Sequence, residues 1–227
     1  PGAGRAVRGG RPLSQTVAAQ GPLVGAIETR WTMRSAGEGE IGVRQLAVLH
    51  ADSPIIRIRL DLDHHATGHR LRARFPVGAG EAATAGTALG TVRRGERPPI
   101  DRESPVERPT ATDPAHRFVR SGHGPRGLAI LAPGFFEYEW SGDRSLTVTL
   151  LRAVGSLSRN DLVERPGHAA WPEATPEAEE PGRHTIWLGI APLQKSSEED
   201  SAILERIWEE FALPIQSMFL DGGPVDV

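Results

Sequence analysis

The stretch IRIRLDLDHHATGHRLRARFP, residues 56–76, decides how this chain is read. Ile56, Ile58, Leu60 and Leu62 alternate with Arg57, Arg59, Asp61 and Asp63. Side chains on a strand point to opposite faces in turn, so this period of two sets an aliphatic row against a charged one. ATGH, residues 66–69, reads as a turn. HRLRARFP, residues 69–76, then alternates again, with Leu71, Ala73 and Phe75 on one face and Arg70, Arg72 and Arg74 on the other. The expectation is a hairpin whose returning strand sets its arginines beside Asp61 and Asp63. Such cross-strand pairs contribute about 0.2–1 kcal/mol each. A nucleic-acid stripe and a substrate clamp are the other uses of an arginine row.

Bulk charge bears on that choice. The chain has 227 residues, with 26 Lys+Arg against 29 Asp+Glu and a formal charge of −3. General nucleic-acid binders carry a basic surplus that is absent here, so the row needs a local explanation. There is no cysteine, which removes disulfides, thiolate chemistry and Cys-held zinc. No apolar run approaches the roughly 20 residues of a membrane-spanning helix. The opening PGAGRAVRGGRP has no apolar core of the signal-peptide kind. A cytoplasmic location, and a piece cut from a longer polypeptide, are the expectations that follow. Only Lys195 is a lysine, an arginine-for-lysine bias typical of a GC-rich bacterial source.

Working outward, residues 1–21 read as a flexible lead-in rich in Gly and Arg, 22–220 as one β-domain and 221–227 as a tail. LVGAIETRWTMR and GEIGVRQLAVLH form a hairpin pattern around SAGEGE. Residues 78–115, rich in Gly, Thr, Arg and Pro, read as irregular. HRFVRSG, GLAILAPG, FFEYEWSG and SLTVTLLRAVG read as strands, the last two as a hairpin about SGDR. Residues 158–183 are irregular again, and HTIWLGIAPL is one more strand. One helix follows. Ser196 or Ser197 caps it, Glu198, Glu199 and Asp200 suit its positive N-terminal end, and Ile203, Leu204, Ile207, Trp208 and Phe211 form its stripe before Pro214. The fold class is mainly β, with one short helix near the C-terminus.

Few residue groups suggest chemistry. Asp61, Asp63, His64, His65 and His69 could bind a divalent ion, but adjacent histidines point to opposite strand faces and no HExxH spacing is present. A polar turn is the better reading. Glu137 and Glu139 share a strand face about 7 Å apart, within the range of a glycosidase carboxylate pair, yet alternating Glu on a strand is more often its wet face. SGHGPRGLAIL has no following GKS/T and is no phosphate loop. No GxSxG elbow occurs. The most informative piece is LLRAVGSLSRNDLVERPGH, in which an apolar strand delivers Arg152 and then Arg159, Asp161, Arg165 and His168 in an irregular loop. Arginine forks and Asp bind sugar hydroxyls and carboxylates. They equally form an internal brace that orders a long loop.

Taken in order, IRIRLDLDHHATGHRLRARFP, AHRFVRSGHGPRGLAILAPGFFEYEW, LTVTLLRAVGSLSRNDLVERPGHA and GRHTIWLGIAPL resemble the C-terminal β-domain of bacterial glycoside hydrolase family 38, the α-mannosidase family. The resemblance spans roughly residues 22 to 220. It implies an antiparallel β-sandwich of the galactose mutarotase-like supersandwich kind, packed on an N-terminal barrel-like domain that holds zinc and an aspartate nucleophile. The barrel's zinc motifs have no counterpart in this chain, so no metal or cofactor is expected here and zinc only in the absent catalytic domain. The fragment alone is expected to be inactive. The resemblance makes Arg152, Arg159, Asp161, Arg165, His168 and Trp171 substrate-side or interdomain residues, with none catalytic. The implied partners are an α-mannoside and the chain's own catalytic domain, with neither nucleic acid nor membrane. The alternative is a self-sufficient carbohydrate-binding or interaction module. Sugar-binding sandwiches expose aromatics for stacking. Here aromatics are 5% of residues, most at expected core positions, and Trp171 is the exception.

Overall fold

The computed structural model describes residues 12–34, 39–78, 82–95, 110–122, 127–141, 144–162, 165, 172–193 and 200–213. Eleven strands and one helix occur among them: β1 Ser14–Gln20, β2 Val24–Arg34, β3 Glu40–His50, β4 Ile56–His64, β5 His69–Pro76, β6 Ala82–Thr87, β7 Gly90–Gly95, β8 Thr112–Ser121, β9 Gly127–Ser141, β10 Ser145–Ala153, β11 Gly182–Leu193 and α1 Asp200–Ala212. Every strand pairing is antiparallel. The main order is β1-β2-β3-β4-β11-β9-β8-β6-β7, and β5-β10 branches from β9.

The branch is built by β9. Its first five residues, Gly127–Leu131, pair with β11. Its far end, Tyr138–Ser141, pairs with β10 on the same edge. Between them Pro133 and Gly134 are extra residues relative to β8, whose ladder jumps from Phe135↔His116 to Ala132↔Arg117. Gly134 and Arg117 both have positive φ, 75° and 73°. A bulge of this kind bends and twists its strand. Here it lets one edge of β9 leave β11 and take up β10.

Ile41, Val43, Leu60, Leu62, Ile130, Tyr138, Leu146 and Val148 form the larger core cluster. On the other side of β8, β9 and β11, α1 closes a second cluster in which Phe118, Leu131 and Ala191 meet Leu204 and Ile207. The apolar stripe expected of the helix is therefore real, except that Ile203 is 45% exposed. Residues 194–199 and Pro214, expected to cap and end it, lie outside the described residues. Gly189 lets the helix lie close: a Cβ there would come within 2.9 Å of Leu131 and 3.0 Å of Phe211.

Several expectations are corrected. Residues 56–76 are not a hairpin. β4 has both edges taken, by β3 and by β11, so β5 crosses to the other branch and pairs with β10. The short link is anchored by Ala66, 1% exposed in the larger core cluster. The expected lead-in is ordered over Ser14–Gln20, which forms edge strand β1 on β2. The expected irregular stretch 78–115 contains the β6–β7 hairpin. GLAILAPG and FFEYEWSG are one bent strand rather than two.

Candidate functional site

Moving β5 changes the partners of its arginines. Arg70 Nη1 donates to Glu137 Oε1 at 2.9 Å, and Arg72 Nη2 to Glu139 Oε2 at 2.7 Å. Both bonds cross over β10, whose Thr149 hydroxyl donates to Glu137 Oε1 at 2.6 Å. Asp61 is held instead by Arg59 at 2.8 Å, Arg44 at 3.1 Å and Thr185 at 2.9 Å. The arginine row is thus a structural ladder, with acidic partners 65 or more residues away in sequence rather than those of the adjacent strand. Burial alone would raise the Glu137 pKa, but the Thr149 bond and the nearby Arg70 and Arg72 charges hold it below its usual value. A glycosidase acid needs the opposite shift. Glu137 is therefore not set up as the acid of such a pair, and Glu139 is held by Arg72.

The loop after β10 is fastened from beneath. Thr175 N donates to the Gly155 carbonyl at 2.8 Å, and Val154 N to the Ala178 carbonyl at 3.2 Å. Residues 176–179 form a 3-10 turn, and Glu179 Oε2 accepts from Gly68 N at 2.8 Å. A Cβ on Gly155 would sit 2.9 Å from Glu179 Oε1, so glycine allows the close approach. One side chain thereby ties the β10 loop to the β4–β5 link.

A histidine cluster lies at this end. The fully buried His64 ring is 5.0 Å from that of His69 and 6.0 Å from that of His184. His64 Nδ1 and His184 Nε2 both lie 2.8 Å from the Glu180 carbonyl oxygen. A carbonyl only accepts, so both nitrogens carry protons. Burial pushes the His69 pKa down, against the Thr67 carbonyl contact. No group of three or more His, Asp or Glu among the described residues is disposed to hold a metal ion.

The expected site residues are placed as follows. Arg152 is exposed and lies opposite Arg70 across the β10–β5 ladder. Arg159 and Asp161 close on each other through a two-point bond of 2.8 and 2.6 Å, both exposed. Their two pKa shifts agree in sense, with Asp161 lowered and Arg159 raised by that bond. Arg165 is exposed, and its backbone N–H donates to the Leu162 carbonyl at 3.3 Å. His168 and Trp171 lie outside the described residues.

One feature was missed. Trp187 is 46% exposed on β11, with the Arg59 guanidinium 5.6 Å from its ring centre. It borders a cleft of about 320 Å³ at the fork, between Thr149 and Leu150 of β10 and Thr185 to Leu188 of β11, floored by Ala132 and Pro133. The alternation Ile186, Leu188, Ile190 already places Trp187 on the opposite, outer face.

Comparison with known proteins fits this architecture. The model of the glycosyl hydrolases family 38 C-terminal domain matches residues 6–156. A relative from Halalkalibacterium halodurans named "Putative mannosylglycerate hydrolase" is 31% identical over 143 residues, covering 59% of this chain and 14% of that protein. Two solved structures from Enterococcus faecalis, an alpha-mannosidase and a protein in glycosyl hydrolase family 38, align with TM-scores of 0.71 and 0.69 at 22% and 21% identity. Each alignment covers 87% of this chain and 24% of the solved one. The chain thus spans about a quarter of those structures. The matched region takes in β1 to β10 and Arg152 but stops short of Arg159, Asp161 and Arg165. The chain belongs to the family of glycosyl hydrolase family 38 C-terminal domains.

Proposed function

We propose that this chain is the accessory β-domain of an α-mannosidase-like glycosidase, and that the loop after β10 lines one edge of the substrate site. The family match over residues 6–156 carries this reading. The engagement of Glu137 by Arg70 and Thr149, and of Glu139 by Arg72, supports it, because the one carboxylate pair that the sequence offered is bound into the β5–β10–β9 ladder. Hydrolysis of the α-mannosidic bond would then use carboxylates elsewhere in a longer polypeptide. The zinc that the resemblance implies would also be held there; among the described residues no group of three or more His, Asp or Glu is disposed to hold it. No helix among the described residues is long and apolar enough to cross a membrane.

In this reading Arg152 is a positioning group at the sugar's edge, and the Arg159–Asp161 pair shapes the loop. The test is Arg152→Ala and Arg159→Ala in the longer polypeptide, assayed on an aryl α-mannoside. Arg152→Ala is expected to lower kcat/KM about tenfold, or about 1.4 kcal/mol, mainly through KM. Unchanged kinetics in both variants would leave the loop as a brace only. A carbohydrate-binding module is the second reading, favoured by the exposed Trp187 beside the fork cleft. It predicts that a mannoside quenches tryptophan fluorescence of this chain and that Trp187→Phe abolishes the quenching.

A further inference from the structure

The inner face of β1–β4 continues beyond the layer that covers it. Cross-strand partners share a face, so the register places Val17, Ile27, Ala47 and Ile58 in one row and Leu49 and Ile56 in the next. The same face carries the core residues Ile41, Val43, Leu60 and Leu62, none more than 7% exposed. Toward the other end the cover stops: Val17 is 65% exposed, Ile27 45%, Leu49 50% and Ile56 36%.

The chemistry of the uncovered half is the telling point. No Asp, Glu, Lys or Arg occurs among the residues of β2, β3 and β4 that share the face of Ile27. The opposite face of the same strands carries Glu28, Arg30, Arg44, Arg59 and Asp61 in a network of ion pairs. A strand face that works in water is built like the second; one without charge, contiguous with a core, is built to be dry. The chain also spans only 24% of the solved relatives and 14% of the Halalkalibacterium halodurans protein, so most of such a polypeptide lies outside it.

We propose that this uncharged half-face, centred on Ile27 and Leu49, is the surface on which the remainder of the same longer polypeptide docks, through an apolar and uncharged patch of its own. The proposal rests on the accessory-domain reading and names the residues that serve it. Lysine-rich, acidic or nucleic-acid partners do not match a face without charge.

The test is hydroxyl-radical footprinting of Val17, Ile27 and Leu49 in the longer polypeptide and in this chain alone. Labelling is expected to be about fivefold lower in the longer polypeptide, as 45–65% exposure falls to that of core residues. Ile27→Asp with Leu49→Asp should restore Val17 labelling there. The same pair should leave the urea midpoint of this chain nearly unchanged, which separates lost docking from lost folding. Equal labelling in both proteins would overturn the proposal. So would protection already present in this chain as a monomer, where its own residues cover the face, or protection accompanied by dimerisation in sedimentation, where a second copy does. The readout does not depend on catalysis. A longer polypeptide that cleaves no mannoside yet protects the face would sink only the glycosidase reading. One that cleaves mannosides with the face labelled would sink only the docking surface.

Discussion

Arg117 offers a test of how the bend in β9 is held. It lies at the register break with a left-handed φ of 73°, which costs a residue with a Cβ about 1–2 kcal/mol. Its guanidinium compensates. Nη1 donates to Glu205 of α1 at 2.6 Å, Nη2 donates to the Thr87 carbonyl of β6 at 3.0 Å, and the group lies 5.9 Å from the Trp208 ring centre. The side chain is only 20% exposed, so these contacts exceed the value of surface pairs. Charged hydrogen bonds of this kind contribute about 1.5–3 kcal/mol, and a cation–ring contact about 0.5–1. Arg117→Ala loses the contacts and keeps the backbone strain, so it should cost about 2–4 kcal/mol. Arg117→Gly loses the same contacts but releases the strain, partly offset by about 0.5–1 kcal/mol for glycine's greater unfolded freedom. The glycine variant should therefore be the more stable of the two by about 0.5–1 kcal/mol, the reverse of the usual order in a strand. Urea denaturation with m-values compared across the three proteins measures this directly. An alanine variant more stable than the glycine variant would refute a left-handed Arg117 and the bend built on it.

Three further outcomes follow from the packing and charge. Gly189→Ala should destabilise by about 1–3 kcal/mol, because the new methyl meets Leu131 and Phe211. Gly42→Ala, whose Cβ would find only ordinary contacts with Asp63 at 3.6 and 4.0 Å, should be neutral or stabilising by up to about 1 kcal/mol; equal losses in urea would remove the argument for close helix docking at Gly189. Glu137 has a folded pKa below its ordinary 4.5, so the native state binds fewer protons there than the unfolded chain. Its stabilisation is present above about pH 4.5 and is lost as pH falls through the lowered folded value. Glu137→Gln should flatten that part of the stability–pH curve, and an unchanged slope would contradict the Arg70–Thr149 cradle. His69 is depressed by burial from 6.5: its contribution is present above that pH and is lost as pH falls toward the folded value. His69→Gln should reduce acid sensitivity in the same denaturation series.

The alternation in residues 56–62 and 71–75 identified two strands and their inward faces because a period of two is a local property. Their partners were not local. β4 meets β11 more than 115 residues later, and β5 meets β10 some 70 residues later. No feature of ATGH separates a hairpin turn from a crossing between branches. β6 was invisible for another reason. Its core is made of Ala83 and Ala85, and a Cβ on Gly86 would lie 2.2 Å from the His116 carbonyl. Only small residues fit there, so the large aliphatics that mark a strand are missing. β1 is exposed over nearly its whole length and shows no buried face to read. At the site, the bond between Arg159 and Asp161 was legible from their spacing of two, whereas the fastening of the loop by Thr175 and Glu179 depends on residues that sequence reading treated as structureless. Trp187 was legible from the alternation of β11 and was overlooked.

The most direct test of the accessory-domain account is hydrolysis of an aryl α-mannoside, with zinc present, by this chain and by a longer polypeptide of the kind the account requires. The account predicts turnover by the longer polypeptide and none by this chain. Turnover by the 227 residues alone would contradict it and return Glu137, Glu139 and Asp161 to consideration as catalytic groups.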